Sequence, residues 1–183
     1  MSKVCVFLAD GFEECEGLLV VDLLRRAGVE VTTASIHGGR AVTGSHGIRL
    51  EADAVAGELE PAGFDLLVLP GGGEGTQNLA ASPLVARAIQ SALDARRKVG
   101  AICAAPSVLG RMGLLQGRRA TCYPGFEPYL EGAQLTHTDV AVDGGVITGR
   151  ALGAAIPFAL ELIAQLEGRA KADEVREAIV YGG

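Results

Sequence analysis

The sequence predicts one doubly wound α/β domain, in which helices cover both faces of a mostly parallel sheet. Two observations lead to this prediction. Short apolar, β-branched runs alternate along the chain with segments whose apolar residues recur at helical spacing. In addition, 183 residues with 49% hydrophobic content are enough for one buried core and few for two. We therefore expect a single domain across residues 1–183.

The first third of the chain predicts a strand–helix–strand unit followed by an irregular stretch. Residues 4–8 are apolar and β-branched, which indicates a buried strand. Residues 15–27 carry apolar side chains at helical spacing, and residues 29–34 alternate in the manner of a second strand. Glycines punctuate residues 35–63, where we expect a hairpin or an extended edge excursion.

A buried strand and a glycine run are predicted in the middle of the chain. Residues 64–69 are nearly all apolar, as in strands buried on both faces, and glycines follow at positions 71–73. Glycine lets backbone N–H groups approach a ligand closely, although an isolated run of this kind is more often a plain turn. The next helix is predicted to begin at Ser82, an N-cap residue, and Pro83.

The second half of the chain continues the alternation of strands and helices. Residues 99–102 predict a strand that runs directly into a helix ending near Met112, and residues 120–123 predict a short strand with Tyr123 at its end. The remaining predicted elements are strands at residues 135–138, 140–142 and 146–148, a helix across residues 156–166 and a terminal surface helix across residues 170–179.

Cys103 lies at the corner between a predicted strand and a predicted helix. Ala101 and Ala105 take the places of the glycines in a G-x-S-x-G turn, where small neighbours are needed because the turn is tight. The first N–H groups of the following helix would face the sulfur, so we expect a thiol pKa below the free value of about 8.5. A lone cysteine between alanines is equally compatible with a buried small hydrophobic residue.

Charge and composition argue against several classes of protein. The net charge is -6 and the 16 Lys and Arg residues are scattered, so no basic stripe for nucleic acid is present. The first residues resemble neither a signal peptide nor a membrane span, and the four cysteines form no C-x-x-C pair. We expect reduced thiols, a cytoplasmic location and no membrane partner. No metal site is expected, because His37, His46 and His137 lack ligand spacing.

Four motifs together resemble the DJ-1 branch of the DJ-1/ThiJ/PfpI superfamily. The resemblance covers nearly the whole chain and implies a flavodoxin-like fold, usually as a homodimer and without a cofactor. It also implies a reactive cysteine that is hydrogen-bonded to a glutamate; by position these are Cys103 and Glu16. The motifs are LPGG at residues 69–72, AICAAP at residues 101–106, EECE at residues 13–16 and VDLLRRAG at residues 21–28.

The resemblance also assigns residues that would bind the substrate or an oxyanion. The glycines would offer backbone N–H groups, and Glu16 would keep its proton because a carboxylate beside a thiolate places two like charges together. Without the resemblance, Glu16 is better interpreted as an exposed first-turn residue. The binding residues implied by position are Gly71, Gly72, Ala104, Tyr123 and Arg150. Ala104 stands where the peptidase branch has histidine, so protease and amidotransferase activities are not expected.

The leading functional hypothesis is a cofactor-independent enzyme that acts on small reactive carbonyls. Cys103 would add to methylglyoxal, glyoxal or an early glycation adduct, Glu16 would shuttle a proton, and hydrolysis would release a hydroxy acid, as described for glyoxalase III or deglycase members. A redox sensor or stress chaperone that uses oxidised Cys103 is an alternative. An inactive paralogue is another, because Tyr123, His46 and residues 151–152 depart from the family pattern.

Overall fold

A seven-stranded sheet forms the centre of the computed structural model, which describes residues 1–182. The strands are β1 (Lys3–Leu8), β2 (Glu30–Ser35), β3 (Ala41–Thr43), β4 (Arg49–Glu51), β5 (Ala54–Val55), β6 (Leu66–Leu69), β7 (Lys98–Ile102), β8 (Arg119–Ala120), β9 (Gln134–Leu135), β10 (Val140–Asp143) and β11 (Val146–Gly149). The order in the main sheet is β10-β11-β7-β6-β1-β2-β5, and only the β10–β11 pair is antiparallel. The predicted doubly wound, flavodoxin-like fold is confirmed.

Helices pack on both faces of this sheet. They are α1 (Glu14–Arg26), α2 (Gly73–Ala81), α3 (Pro83–Asp94), α4 (Pro106–Arg111), α5 (Ala155–Glu167) and α6 (Arg169–Ala178), with short 3-10 turns at Ala56–Glu58, Pro61–Gly63, Glu127–Tyr129 and Leu152–Ala154. None of the helices within residues 1–182 has the length and apolar character needed to cross a bilayer.

The alternation of side chains along β1 divides the core into two apolar layers. Val4, Val6 and Leu8 join the cluster that includes α1 and α5, whereas Cys5 and Phe7 join the cluster that includes α3 and α4. Successive side chains of a strand point to opposite faces, so one buried strand supplies both layers. Removing this apolar surface from water is the main favourable contribution to folding.

Three sequence predictions differ from the structure. The segment after the glycine run is a helix, α2, which was not predicted; its polar residues and its internal Gly75 hide the apolar periodicity. The predicted strand at residues 120–123 stops at Ala120 and does not place Tyr123 at a strand end. Thr121 explains the early stop, because its N–H donates to Thr148 Oγ1 at 3.0 Å and its hydroxyl donates to the Thr138 carbonyl at 2.8 Å. The predicted strand at residues 135–138 is reduced to the two residues of β9.

The irregular stretch and the end of the chain agree with prediction. The strands β3 and β4 pair antiparallel as a hairpin, and β5 adds a short edge to the main sheet. In the last third, α5 and α6 follow the β10–β11 hairpin. Because β6, β7 and β11 are parallel neighbours, the chain leaves all three at the same edge of the sheet, as expected for a functional site in this architecture.

Candidate active site

Cys103 occupies a left-handed backbone conformation directly after β7. Its φ is 66°, a region that residues with a Cβ rarely adopt. Two hydrogen bonds hold it there: its N–H donates to the Gly149 carbonyl at 2.9 Å, and its carbonyl accepts the Tyr123 N–H at 2.8 Å. A sharp turn of this kind presents the side chain at the sheet edge, as in a nucleophile elbow. The predicted strand-to-helix corner is therefore present.

Glu16 reaches Cys103 from the first turn of α1. Its residue surface is only 1% exposed, so it is not the solvent-facing glutamate that position alone would suggest. Its Oε2 accepts the Gly71 N–H at 3.0 Å, and its carboxyl group shares a side-chain hydrogen bond with the Cys103 thiol. The Glu13 side chain caps α1 by accepting the Glu16 N–H at 2.7 Å, and this hydrogen bond fixes the backbone of Glu16 in the first turn of the helix.

The two glycines after β6 have different roles. A Cβ on Gly71 would overlap the Glu16 carboxylate and lie 2.6 Å from the Cys103 Cβ, so this position requires glycine. The Gly71 N–H is already used by Glu16 and is not available to an oxyanion, contrary to the sequence interpretation. The Gly72 N–H, together with that of Ala104, instead faces the Cys103 sulfur. These two groups are the donors for negative charge at the site.

Burial shifts the pKa values of both reactive groups upward. It raises the pKa of Glu16 to about 7, with a further increase from the charge of Glu13. The predicted direction for Glu16 is confirmed, although burial is the largest cause. Burial and the neighbouring Glu16 carboxylate raise the pKa of Cys103 to about 12, and the N–H groups of Ala104 and Gly72 only partly oppose this. The predicted lowering of the thiol pKa is therefore wrong.

Near neutral pH the Cys103–Glu16 pair can carry one proton and one negative charge. When Glu16 is ionised, the proton lies on sulfur; its transfer along the hydrogen bond gives a thiolate and a neutral carboxyl group with no change in net charge. Glu16 can therefore act as the base that activates Cys103 while a substrate is attacked, and can return the proton afterwards.

The structure brings most, but not all, of the predicted binding residues to the thiol. Ala104 is buried beside Cys103, whereas Tyr123 is tied to Cys103 through its backbone and leaves 47% of its surface exposed. The Arg150 guanidinium donates to the His137 carbonyl at 3.2 Å. Within residues 1–182 it makes no hydrogen bond to Cys103 or Glu16, so a direct role for Arg150 stays a prediction.

Two features near the site were missed from sequence. The first is the N-cap role of Glu13. Glu13 precedes Glu16 by three residues, the spacing of an N-cap and its N3 partner, and this signal could have identified the cap.

The second is a cluster of three side chains. Glu13, Glu14 and His46 place potential metal-ligating atoms within 4.8 Å of one another. Spacing along the chain could not show this proximity, because the hairpin brings His46 to α1. His46 Nδ1 already hydrogen-bonds Glu14 Oε2 at 2.9 Å, so this nitrogen has a partner within the protein.

Comparison with known proteins agrees with this geometry. The sequence matches the DJ-1/PfpI family across residues 2–165. It is 37% identical over 183 residues to protein dj-1beta of Drosophila melanogaster, with 98% of each chain covered. It is also 32% identical over 153 residues to a Pyrococcus abyssi protein named a deglycase, covering 82% of this chain and 91% of that protein.

Solved structures of DJ-1 superfamily proteins are also similar to this chain in sequence and in fold. A cysteine-to-alanine mutant of a DJ-1 superfamily protein from Salmonella typhimurium has a TM-score of 0.96 and 39% identity, with both chains fully covered. An oxidized DJ-1 from Toxoplasma gondii has a TM-score of 0.96 and 32% identity, again over both full chains. On its sequence match, its fold and the Cys103–Glu16 pair at the sheet edge, the chain belongs to the DJ-1/PfpI family.

Proposed function

We propose that the protein is a cofactor-independent, glutathione-independent enzyme that converts 2-oxoaldehydes, or their early glycation adducts, to hydroxy acids. Methylglyoxal and glyoxal are the expected substrates, as for a glyoxalase III or a deglycase. The observation that carries this proposal is the hydrogen bond between partly exposed Cys103 and buried Glu16 beside the Gly72 N–H. The relative named a deglycase supports the same class of chemistry.

The pair can move every proton that the reaction requires. Cys103 sulfur attacks the aldehyde carbon of methylglyoxal while its proton passes to Glu16, and the N–H groups of Gly72 and Ala104 stabilise the alkoxide that forms. Glu16 returns the proton to this oxygen, which gives the hemithioacetal and leaves Glu16 ionised. Glu16 then moves a proton from the first carbon to the second through an enediolate, which leaves a lactoyl thioester on Cys103. Water hydrolyses the thioester, so methylglyoxal and one water give lactate and the free thiol.

The first test is lactate formation from methylglyoxal in the absence of glutathione. Cys103→Ser and Glu16→Gln should each lower kcat/KM by about 100-fold or more, because each removes a group that takes part in bond formation or proton transfer. Cys15→Ser is the matched control, since Cys15 is an exposed free thiol on the same helix as Glu16. Turnover retained in both site variants contradicts the proposal, and no turnover in the wild type favours an inactive paralogue.

A second candidate function, redox sensing, is favoured by one feature of the same site. Cys103 is partly exposed, and its sulfur has both the Glu16 carboxyl group and the Gly72 N–H as hydrogen-bond partners, groups that can also hydrogen-bond the oxygens of a sulfinate. A structural relative is an oxidized DJ-1. Mass spectrometry after mild peroxide should find two oxygens on Cys103 before exposed Cys15 reacts. Equal oxidation of the two thiols would count against this function.

We also propose that the protein is a cytoplasmic homodimer. Leu18 on α1 and Ile48 in the β3–β4 hairpin are large apolar side chains that are 41% and 53% exposed. Glu14 binds the hairpin backbone at His46, and Leu18 follows Glu14 by one helical turn, so the two apolar residues lie on one side of the molecule. A second copy of the chain would cover them.

A further inference from the structure

A small cavity is lined by residues that neighbour, along the chain or through a hydrogen bond, the groups facing the Cys103 thiol. It has a volume of about 190 Å³ and lies between α2, α4 and the segment that follows Cys122. Its wall includes Gly73, which follows Gly72 in the chain, and Ser107, whose hydroxyl donates to the Ala104 carbonyl at 2.6 Å. Gly72 precedes Gly73 and Ala104 accepts the Ser107 hydrogen bond. These are the two residues whose N–H groups face the Cys103 sulfur.

The polar groups that line this cavity have unused hydrogen-bonding capacity. Thr76 is 4% exposed, and its Oγ1 is buried with no hydrogen-bond partner in the part of the chain that the structure describes. Buried hydroxyls without a partner are rare, and this one keeps its capacity to donate to a ligand. The Gln77 side chain also lines the cavity.

Arg111 supplies the cavity with a positive charge that no acid neutralises. Its guanidinium carbon lies 4.7 Å from the centre of the Tyr129 ring, and Phe126 packs against the same ring with centroids 5.8 Å apart. Across residues 1–182 no carboxylate lies within 4.0 Å of Arg111, and none of its side-chain N–H groups finds an acceptor. An aromatic contact orients the guanidinium without using its N–H donors.

We propose that this cavity binds the carboxylate end of the substrate, with Arg111 as the residue that determines specificity. This inference rests on the proposed function and deepens it: the preferred substrate is an adduct of a 2-oxoaldehyde with a molecule that carries a carboxylate. For a hemithioacetal, the bond between the aldehyde carbon and the carrier sulfur breaks, the carrier leaves as a thiol, and Cys103 takes its place, so the adduct and one water give the hydroxy acid and the carrier thiol. One guanidinium matches one carboxylate in charge and in the geometry of its paired N–H groups. The hydroxyl of Thr76 and the amide of Gln77 can donate to the same oxygens.

The test compares two substrates that differ by a single charge. Methylglyoxal is mixed with N-acetylcysteine or with N-acetylcysteine amide to form hemithioacetals, and free methylglyoxal is kept equal in the two mixtures. Lactate formation then gives kcat/KM for each adduct. The wild type should prefer the acid over the amide by about fivefold, the effect of one solvent-accessible ion pair. Arg111→Gln should abolish the preference, and Arg111→Lys should keep part of it.

Two further variants make the result specific to this cavity. Arg87→Gln removes the same charge from exposed α3 and should keep the preference for the acid. Thr76→Val removes only the hydroxyl and should reduce the preference, which covers the case in which Arg111→Gln does not fold. Equal rates for acid and amide in the wild type overturn this inference while leaving the proposed function intact. If the wild type forms no more lactate than Cys103→Ser does, the proposed function itself is wrong.

Discussion

The protonation of Glu16 depends on a residue that does not touch the thiol. Glu13 accepts the Glu16 N–H at 2.7 Å and holds a negative charge close to the Glu16 carboxyl group. Burial is the largest cause of the raised pKa of Glu16, and the charge of Glu13 adds to it. Glu13 is therefore a positioning residue that fixes the backbone of Glu16 and adjusts its affinity for a proton.

This role predicts the pH dependence of the activity. A general base must be ionised, so kcat/KM should rise with pH through the Glu16 pKa of about 7. In Glu13→Gln the side-chain oxygen can still accept the Glu16 N–H, but the negative charge is gone, so the midpoint should move to lower pH. Exposed Glu58→Gln serves as the control. A midpoint that is the same in the wild type and in Glu13→Gln would show that Glu13 acts only as a cap.

Gly71 gives a second prediction at the scale of the single residue. Its substitution by alanine would place a Cβ 2.6 Å from the Cys103 Cβ and against the Glu16 carboxylate. We expect Gly71→Ala to lose about 1–3 kcal/mol of unfolding free energy through overpacking, and to lose most of the proposed lactate-forming activity. Gly39→Ala is the control, because a Cβ at Gly39 meets open space. Urea unfolding and kcat/KM measure the two effects, and a fully active Gly71→Ala would refute the prediction.

At the scale of elements, one carboxylate joins the β3–β4 hairpin to α1. Glu14 accepts the His46 N–H at 2.8 Å and the Ser45 hydroxyl at 3.3 Å. Burial by itself would raise the pKa of Glu14, but hydrogen bonds from the His46 side chain and from nearby backbone N–H groups lower it to about 2. The His46 pKa is raised by the same contact. The hairpin is thus attached to the helix that carries Glu16.

The attachment predicts how stability changes with pH. A carboxyl group with a lowered pKa stabilises the fold above its ordinary value of 4.5, and the stabilisation disappears as pH falls toward about 2. The unfolding free energy of the wild type should therefore exceed that of Glu14→Gln near pH 5, and the difference should shrink with acidification. Urea titrations at several pH values measure this, with exposed Glu51→Gln as the control. If the difference in unfolding free energy does not change with pH, the ionised Glu14 carboxylate does not stabilise the fold.

The sequence was most informative where one element could be judged by itself. The apolar runs of β1, β6 and β7 and the apolar stripes of α1, α3 and α5 were all predicted, because their burial appears directly in residue periodicity. The helix α2 was missed since Gly75, which packs against the Phe12 backbone, weakens its helical signal. The thiol pKa was predicted in the wrong direction, because burial and the partner charge arise only from packing among β7, α1 and the loop after β6.

At the scale of the whole molecule, the exposed apolar side chains of Leu18 and Ile48 predict self-association. Light scattering coupled to size-exclusion chromatography should give a mass twice that of the 18.8 kDa chain. Leu18→Glu combined with Ile48→Glu should give the monomer mass, because buried charges without partners oppose association. Leu135→Glu, an exposed leucine on β9, is the control and should remain dimeric. A monomeric wild type would contradict the proposed homodimer.

The left-handed conformation of Cys103 makes the fold less stable at the position that the proposed catalysis requires. A side chain with a Cβ in this region costs about 1–2 kcal/mol, whereas glycine adopts it without steric conflict. Cys103→Gly should therefore unfold at a higher urea concentration than Cys103→Ala, although neither variant has a thiol. A change to glycine would give a more stable protein without the thiol, so under the proposed function selection for the thiol is what preserves a cysteine at this position.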